Sequence, residues 1–394
     1  PGAMKILVVS DYLQQGGAAI ACERLCAALK AQGAEVRRFA LLGSPTERSI
    51  VSYAPGIGAR LEGVLSLAYG GQNPPLRKKL RLDSALRRLA KTIAEFQPDV
   101  INLHNLHAAE LPLARIAAQL GSMPVIWTLH DMWSFTGRCA YAYGCTQFIA
   151  GCTSICPTPT EYPALAPEKI PGAWQERREF LTTHARIAAA CPSAWLAGEA
   201  RRGLWKDRRV EAIPNALPLD VFFPVPKAAA RAALGLPADK RFALLAADYL
   251  AERRKGGDLI QAALAQFAPP GWEILLLGHD SNIPLPGWTK RAMGYVRDDV
   301  VKRLIYSAAD VLLHPAPVDN LPNTVAEALA CGTPVAAFTI GGVPEMVRPG
   351  STGWLSGSLD ATSYAACLRS AFDAISSGVD LGPACRAHAQ KLFD

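Results

Sequence analysis

The chain has 394 residues, of which 50% are hydrophobic and 19% are charged. This length suits two ordinary domains rather than one core, and the composition excludes an extended disordered chain. A transmembrane helix needs an apolar run of about 18 residues, which the sequence lacks, and residues 4–7 begin directly as a strand. We therefore expect neither a membrane span nor a cleaved secretion signal.

The formal net charge of +7 is concentrated in the N-terminal half. Residues 1–217 carry 25 Lys and Arg against 17 Asp and Glu, whereas residues 218–394 carry 16 against 17. This excess favours an anionic partner (a phosphorylated acceptor, a membrane surface or nucleic acid), but a basic surface without any partner fits equally well. The ten cysteines, with no expected secretion signal, indicate reduced thiols in a cytoplasmic protein.

Short apolar runs alternate with helical patterns in two series along the chain. Near-continuous apolar runs are typical of parallel strands buried on both faces. The pattern predicts an α/β fold with two Rossmann-like, doubly wound parallel sheets. Helices are predicted between the strands, for example at 18–32 and 84–96. The predicted strands are 5–10, 35–42, 99–106, 124–130, 187–193 and 210–214, then 241–247, 272–278, 292–296, 311–315, 334–338 and 353–355.

The proline-rich segment 213–226 is interpreted as a linker, because proline excludes helix interiors and central strands. The predicted domains are 1–217 and 218–375, followed by a C-terminal helix in 376–394 that packs back on the N-terminal domain. Open α/β sheets bind ligands at the carboxyl ends of their strands. The expected site is therefore a central cleft that the two domains face.

Gly16 and Gly17 follow the first predicted strand and lead into a helix. Glycine lets the backbone approach a ligand closely, and a helix N-terminus favours an anion. A glycine pair in such a loop is just as often a plain turn, and this one does not spell the GxGxxG fingerprint of dinucleotide-binding proteins.

The most informative stretch runs from Asp310 to Val335: a buried strand, a loop with Asp319, and a helix that carries Glu327 and starts near Pro322. Carboxylates accept hydrogen bonds from sugar hydroxyls, and the helix-start amides of Asn323 and Thr324 suit a phosphate. The plainer interpretation, a cap at Asp319 and a solvated Glu327, leaves the Gly-Thr-Pro and Gly-Gly-Val-Pro-Glu turns at 332–334 and 341–345 unexplained.

With these motifs, the chain resembles retaining glycosyltransferases of family 4 with the GT-B fold, in the branch of colanic-acid and other exopolysaccharide glycosyltransferases. The resemblance covers nearly the whole chain, from the Gly16-Gly17 loop to the turn at 341–345. The family's Glu-x7-Glu motif stands here as Asp319-x7-Glu327, with a first carboxylate shorter by one methylene. The resemblance implies that Glu327 holds the donor ribose and that Asp319 contacts the transferred sugar.

Lys255 lies in a basic turn, Arg253-Arg254-Lys255-Gly256-Gly257, after the first strand of the second series. A lysine here could neutralise a diphosphate leaving group, whereas on charge alone a solvated basic turn is the simpler interpretation. The resemblance favours the catalytic role. The family commonly has an arginine six residues before this lysine, where this chain has Tyr249, so Arg254 or Arg253 would substitute.

His130 ends the fourth predicted strand, a position where a lone histidine is more often structural. In similar enzymes this histidine contacts the donor sugar, so the resemblance implies a catalytic role for His130. His104 and His107 are weaker candidates for lining the acceptor side.

Cys139, Cys145, Cys152 and Cys156 fall within 18 residues of a loop-like segment. Four thiolates can form a closed structural zinc site. Their spacings are not those of paired CxxC knuckles, so buried or redox-sensitive thiols remain an equal alternative.

Residues 74–89 combine spaced leucines with Arg77, Lys78, Lys79 and Arg81. Such a basic amphipathic helix can lie on an anionic bilayer, although most are ordinary surface helices. Because similar enzymes often use lipid-linked acceptors, we favour a protein at the inner face of the plasma membrane. Nucleic-acid binding is disfavoured, because no recognition module accompanies the basic residues.

The resemblance implies transfer of a hexosyl group, with retention, from a UDP- or GDP-linked sugar to a glycan or lipid-linked oligosaccharide acceptor, without a metal or other cofactor for catalysis. The alternatives are a phosphorylase or synthase of the same fold, and a non-catalytic nucleotide-sugar-binding protein in a polysaccharide assembly complex. Besides the catalytic candidates His130, Lys255 and Asp319, the predicted donor-binding residues are Gly16, Gly17, Arg254, Tyr295, Asn320, Leu321, Asn323, Thr324 and Glu327.

Overall fold

The computed structural model describes residues 2–12, 16–42, 50–52, 75–107, 112–158, 161–249, 253–279 and 283–393; for 41–42, 50–52 and 75–82 it describes the backbone only. The chain forms two compact units. One comprises Pro1–Pro192 and Leu196–Ile213, and the other comprises Ser193–Trp195 and Pro214–Asp394. The predicted boundary after residue 217 lies four residues beyond this division.

The described strands of the first unit form one parallel sheet in the order β3-β2-β1-β4-β5-β6-β7. The pairing of β1 with β2 and with β4 places Ile6 beside both Val36 and Val100. The strands are β1 (Lys5–Tyr12), β2 (Glu35–Leu42), β3 (Ile50–Ser52), β4 (Val100–Leu103), β5 (Val125–Thr128), β6 (Ile187–Cys191) and β7 (Arg209–Ala212).

The described strands of the second unit form another parallel sheet, in the order β10-β9-β8-β11-β12-β13. The strand order reverses beside β8 and β11, as expected for a doubly wound sheet. The strands are β8 (Arg241–Ala246), β9 (Trp272–Leu277), β10 (Lys290–Gly294), β11 (Val311–His314), β12 (Val335–Phe338) and β13 (Gly353–Ser356).

Helices connect the strands in both units. In the first unit they are α1 (Gly17–Ala31), α2 (Pro75–Phe96), α3 (Leu113–Leu120), α4 (Ile170–Thr183) and α5 (Ala194–Arg202, whose first two residues belong to the second unit). In the second unit they are α6 (Lys227–Ala233), α7 (Gly257–Leu264), α8 (Asp299–Ala308), α9 (Asn323–Ala330), α10 (Val343–Met346), α11 (Ala361–Ser376) and α12 (Gly382–Phe393). Short 3-10 turns occur at Trp133–Phe135, Gln147–Ile149, Pro167–Lys169 and Arg253–Lys255.

The core of the second unit lies on both faces of its sheet. Along β8, Phe242 and Leu244 belong to one buried apolar cluster, whereas Ala243 and Leu245 belong to another. Successive strand residues point to opposite faces, so both faces of β8 are covered. This explains the near-continuous apolar runs and confirms the doubly wound architecture.

The structure differs from the sequence-based predictions at β3 and at α12. Strand β3 was not predicted, whereas α2, which begins at Pro75, agrees with the helix predicted for the basic segment 74–89. The C-terminal helix α12, predicted to pack on the N-terminal domain, instead belongs to the second unit. Its Cys385 and Ala389 lie in that unit's apolar core, and Arg386 donates a hydrogen bond to the carbonyl of Phe222. Among the described residues, no helix is both long and apolar enough to span a membrane.

Candidate active site

Two glycines of the 341–345 turn bring it against the loop after β11. A Cβ on Gly341 would clash with the carbonyl oxygen of Asp319, and one on Gly342 would clash with that of Asn320. Gly341 also has a positive φ of 52°. Only glycine permits this approach, so the turn fixes the position of the loop that carries Asp319.

A second close approach brings Lys255 to the same loop. Gly256 has a φ of 80°, and a Cβ there would clash with the carbonyl oxygen of Pro315. The Lys255 ammonium consequently lies 3.1 Å from Oδ2 of Asp319, and Oδ1 of Asp319 accepts a hydrogen bond from the Asn320 amide at 2.9 Å. The structure therefore joins two of the three predicted catalytic residues in one ion pair.

Burial acts against the charge on Asp319, but its basic neighbours outweigh that effect. Burial raises the pKa of the Asp319 carboxyl, whereas Lys255, His314 and Arg254 lower it, with a net result below the usual value of 3.8. His314 lies beside the same carboxylate, with Nε2 3.9 Å from Oδ2. Its pKa falls from 6.5 to about 4, chiefly through burial, so the ring is neutral near pH 7.

Acidification should destabilise the folded protein through the buried ring of His314. Between pH 6.5 and about 4 the unfolded chain binds a proton at this residue and the folded chain does not, so the free energy of unfolding falls as pH falls. Over the whole interval, His314 lowers the free energy of unfolding by about 3 kcal/mol. We expect His314→Gln and His314→Phe to lose less stability than the wild type across this interval in denaturant titrations at a series of pH values. Parallel curves for the wild type and both variants would contradict this.

Glu327, on α9, lies deeper in the unit than Asp319. It is 3% exposed, and its Oε2 accepts a hydrogen bond of 2.8 Å from the Tyr306 hydroxyl. Helix α9 starts at Asn323, so Pro322 is the N-cap rather than the first helical residue, a shift of one position from the prediction. Asn323 and Thr324 thus occupy the first turn, where helix amides point towards the helix N-terminus.

Asn320 and Leu321, also predicted to bind the donor, are buried in the loop between β11 and α9. The Asn320 side chain accepts a hydrogen bond of 2.5 Å from the Ser193 hydroxyl. Asn320 therefore has a structural partner within the second unit, and Leu321 belongs to that unit's apolar core.

Tyr295 follows β10 and belongs to an aromatic stack. Its ring lies 4.0 Å from the His279 ring at an interplanar angle of 13°, and His279 lies 5.1 Å from Tyr249. These residues follow β10, β9 and β8, at the carboxyl edge of the sheet. Tyr249 thus stacks on His279 in the place where the family commonly has an arginine. His279 was not among the site residues predicted from the sequence.

In the first unit, Gly16 and Gly17 form the entry to α1. Gly16 is the N-cap with a φ of 83°, and its carbonyl accepts hydrogen bonds from Ala19 and Ile20. The predicted start of a helix at this pair is confirmed.

His130 lies at the carboxyl edge of the first unit's sheet and lines a pocket with His104, His107 and Asp131. Its Nε2 lies 2.8 Å from Nδ1 of His104. Burial, His104 and His107 hold the pKa of His130 well below its usual range. Burial also lowers the pKa of His107, although Asp131 opposes this. The structure therefore places three sequence-predicted histidines in one pocket, where burial favours the neutral form of His107 and His130.

The four cysteines of residues 139–156 are neighbours without disulfide bonds. Cys152 accepts a hydrogen bond from the Gly137 amide at 3.1 Å, and burial together with the other three thiols raises its pKa to about 11, against the effect of that bond. Within the described chain, no group of three or more His, Cys, Asp or Glu residues is arranged to hold a metal ion. This geometry does not fit a zinc cage. The zinc site stays a prediction from sequence, which the zinc content of the purified protein tests.

The basic segment forms the first turns of α2, as its amphipathic pattern predicted. The side chains of Arg77, Lys78, Lys79 and Arg81 lie outside the described residues.

Sequence profiles of two glycosyltransferase families match the chain. The profile described as Glycosyltransferase Family 4 matches residues 15–221, and the one described as Glycosyl transferases group 1 matches residues 241–373. The first profile alone spans more than half of the chain.

Curated relatives are similar over part of their length. WcaC of Escherichia coli (strain K12), named for colanic acid biosynthesis, is 30% identical over 61% of this chain and 60% of its own. A D-inositol 3-phosphate glycosyltransferase of Mycobacterium sp. (strain KMS) is 33% identical over 40% of this chain and 38% of its own. The chain thus matches less than two thirds of each relative.

Solved structures share the fold over nearly the whole chain. Sucrose-phosphate synthase of Thermosynechococcus elongatus superposes with a TM-score of 0.75 at 21% identity, covering 99% of this chain and 95% of the other. HepE of Anabaena in complex with UDP-glucose gives 0.66 at 18% identity, covering 99% and 96%. Both profile matches, the two parallel sheets, and the loop with Asp319 followed by the helix with Glu327 identify the chain as a group 1 glycosyltransferase of family 4 with the GT-B fold.

Proposed function

We propose that this glycosyltransferase moves a hexosyl group, with retention, from a UDP- or GDP-linked sugar to a glycan or lipid-linked oligosaccharide. The observation that carries this proposal is the ion pair of Lys255 and Asp319 beside the start of α9. The pair supports the proposal, because its ammonium can neutralise a leaving diphosphate and its carboxylate can accept a hydrogen bond from a sugar hydroxyl. HepE, which shares the fold, binds UDP-glucose, and WcaC is named for a polysaccharide; both support this reading.

Each residue of the second unit has a distinct role in this proposal. Lys255 and Arg254 neutralise charge as the diphosphate leaves, without a divalent metal, because fixed cations stabilise developing anions strongly in a desolvated site. The amides of Asn323 and Thr324 bind phosphate at the start of α9. Glu327 binds the ribose hydroxyls, and Asp319 orients the transferred sugar.

The first unit supplies the proposed contact of His130 with the transferred sugar. A neutral histidine suits this task because it exchanges neutral hydrogen bonds with hydroxyl groups and brings no charge to be desolvated. The low pKa of His130 supports this role.

The donor class is tested by thermal unfolding with UDP-, GDP-, ADP- and TDP-linked sugars. A ligand that binds only the folded chain stabilises it, by about 2.7 kcal/mol at a hundred times its Kd. We expect a UDP- or GDP-linked sugar to raise the unfolding temperature most. If none of the four classes raises it, the proposal is wrong.

A cytoplasmic location at the inner face of the plasma membrane is part of the proposal. Attraction to an anionic bilayer contributes about 1 kcal/mol per basic residue near the surface, and salt screens it. We expect the protein to sediment with anionic vesicles at low salt and to be released at high salt. Replacing Arg77, Lys78, Lys79 and Arg81 by Gln should release it at low salt too.

Activity on a soluble acceptor fragment should survive these four substitutions, because none of the four residues is among the proposed catalytic or donor-binding residues. Equal sedimentation with neutral and anionic lipid, or none with either, would show that the basic segment is an ordinary solvated helix face.

A further inference from the structure

His314 is a buried titratable side chain to which the proposed function gives no role. It is the last residue of β11 and is 5% exposed. Among the residues that the structure describes, its Nε2 atom has no hydrogen-bond partner, and this atom lies 3.9 Å from Oδ2 of Asp319. Burying a polar nitrogen without a hydrogen bond is unfavourable, so its place beside a proposed catalytic carboxylate needs an explanation.

The Asp319 carboxylate can accept a hydrogen bond from His314. Its Oδ1 already accepts one from the Asn320 amide, and its Oδ2 accepts one from the Lys255 ammonium at 3.1 Å. Because the pKa of Asp319 lies below its usual value, the carboxylate is ionised near pH 7 and only accepts hydrogen bonds. An imidazole donates from Nε2 both as the neutral tautomer with its hydrogen there and as the imidazolium. Either form of His314 can therefore donate to Oδ2.

The Lys255 ammonium has two competing partners in the proposed function, Asp319 and the diphosphate. The Lys255 side chain is 24% exposed and that of Asp319 is 11% exposed, so the ammonium is the more accessible end of the ion pair. Its flexible stem lets the ammonium turn to the phosphates. Arg254, another basic neighbour of Asp319, is assigned to the diphosphate as well. The carboxylate then needs another donor, because a buried charge without a partner is strongly destabilising.

We propose that His314 is a positioning residue that replaces Lys255 as the partner of Asp319 when Lys255 turns to the diphosphate of the bound nucleotide sugar. A shift of about 1 Å brings Nε2 of His314 from 3.9 Å to hydrogen-bond distance of Oδ2. The carboxylate then stays ionised and oriented for the transferred sugar while the ammonium acts on the phosphates. This inference rests on the proposed function, in which Lys255 binds the diphosphate and Asp319 orients the sugar.

Calorimetric titration with UDP and with GDP tests the exchange of partners independently of turnover. We expect His314→Phe to weaken binding of the nucleotide about tenfold, because the ion pair of Lys255 and Asp319 then opens without a replacement for the cation. His314→Gln should restore most of the affinity, because its amide can donate from near the position of Nε2. His184→Phe is the matched control with wild-type affinity. It removes another buried histidine whose Nε2 has no hydrogen-bond partner in the described part of the chain.

A second background shows whether His314 acts through the carboxylate. In Asp319→Asn the charge that needs a partner is absent, so adding His314→Phe should leave the Kd of the nucleotide unchanged. A role of His314 in packing alone would weaken binding equally in both backgrounds. Wild-type affinity of His314→Phe, or an equal loss of affinity in the Asp319→Asn background, would overturn the inference.

NMR titration of the histidine-labelled wild type needs no variant of His314. Burial and Lys255 lower the pKa of His314, and Asp319 raises it. From α11, the Tyr364 hydroxyl contacts the His314 backbone. Bound UDP or GDP occupies Lys255, so the pKa of His314 should rise from about 4 by about one unit or more, and by less in Asp319→Asn.

The outcomes of this titration separate the two proposals. A nucleotide that binds and leaves the pKa of His314 unchanged would overturn the inference and leave the proposed function standing. Failure of both UDP and GDP to bind would overturn the proposed function, and the inference with it.

Discussion

Replacing Lys255 by Ala should lower turnover by about 10²–10³, the typical effect of removing one charge-stabilising group from an active site. The reason is its place beside Asp319, at the turn held by Gly256, where the proposal puts the leaving diphosphate. Binding of the bare nucleoside should change little, because Lys255 acts on the phosphates. Initial rates at saturating donor, together with nucleoside titrations, measure both quantities.

The matched control is Lys240→Ala, which also removes a lysine paired with an aspartate, here Asp239 at the surface of the same unit. It should keep wild-type turnover. Thermal unfolding of both variants separates a catalytic loss from destabilisation, because Lys255→Ala leaves the buried Asp319 without its cation. A folded Lys255→Ala enzyme that keeps more than about a third of wild-type turnover would exclude the role of Lys255.

Replacing Glu327 by Gln should weaken donor binding by about 10- to 100-fold, since hydrogen bonds to charged groups contribute about 1.5–3 kcal/mol each. The Glu327 carboxylate is buried and held by the Tyr306 hydroxyl, so its position is fixed before the donor arrives. The donor KM and the Kd of the nucleoside diphosphate should both rise. Calorimetric titration and initial rates measure the two constants.

Glu273→Gln is the matched control, because Glu273 is another buried carboxylate of the same unit. It pairs with Arg291 on the neighbouring strand and has no proposed contact with the donor. Donor affinity should be unchanged in this variant. Equal affinities of Glu327→Gln and the wild type would assign Glu327 to structure rather than to ribose recognition.

The fold was predictable because its signals are local. Continuous apolar runs placed most described strands of both sheets, and proline placed the division between the units within four residues. Strand β3 and the packing of α12 were not predictable in this way. The former is only three residues long, and the latter is decided by distant partners such as Phe222.

The site was predictable at the level of motifs and not at the level of contacts. The spacing of Asp319 and Glu327 identified the loop and helix, but no sequence rule gives the pairing of Lys255 with Asp319, 64 residues apart. The His279 stack was missed because its partners, Tyr249 and Tyr295, follow different strands, which only the sheet brings together.

The most direct test of glycosyl transfer is to follow the donor selected by the thermal screen with ¹H NMR, without acceptor and then with inorganic phosphate. The account predicts slow release of nucleoside diphosphate and a first-formed sugar with the anomeric configuration of the donor, with no dependence on phosphate and about 10²–10³ less release in Lys255→Ala. Bound donor that is never turned over, with or without glycan acceptors, would contradict the account and identify a nucleotide-sugar-binding protein. Sugar 1-phosphate formed only with added phosphate would contradict it in favour of a phosphorylase.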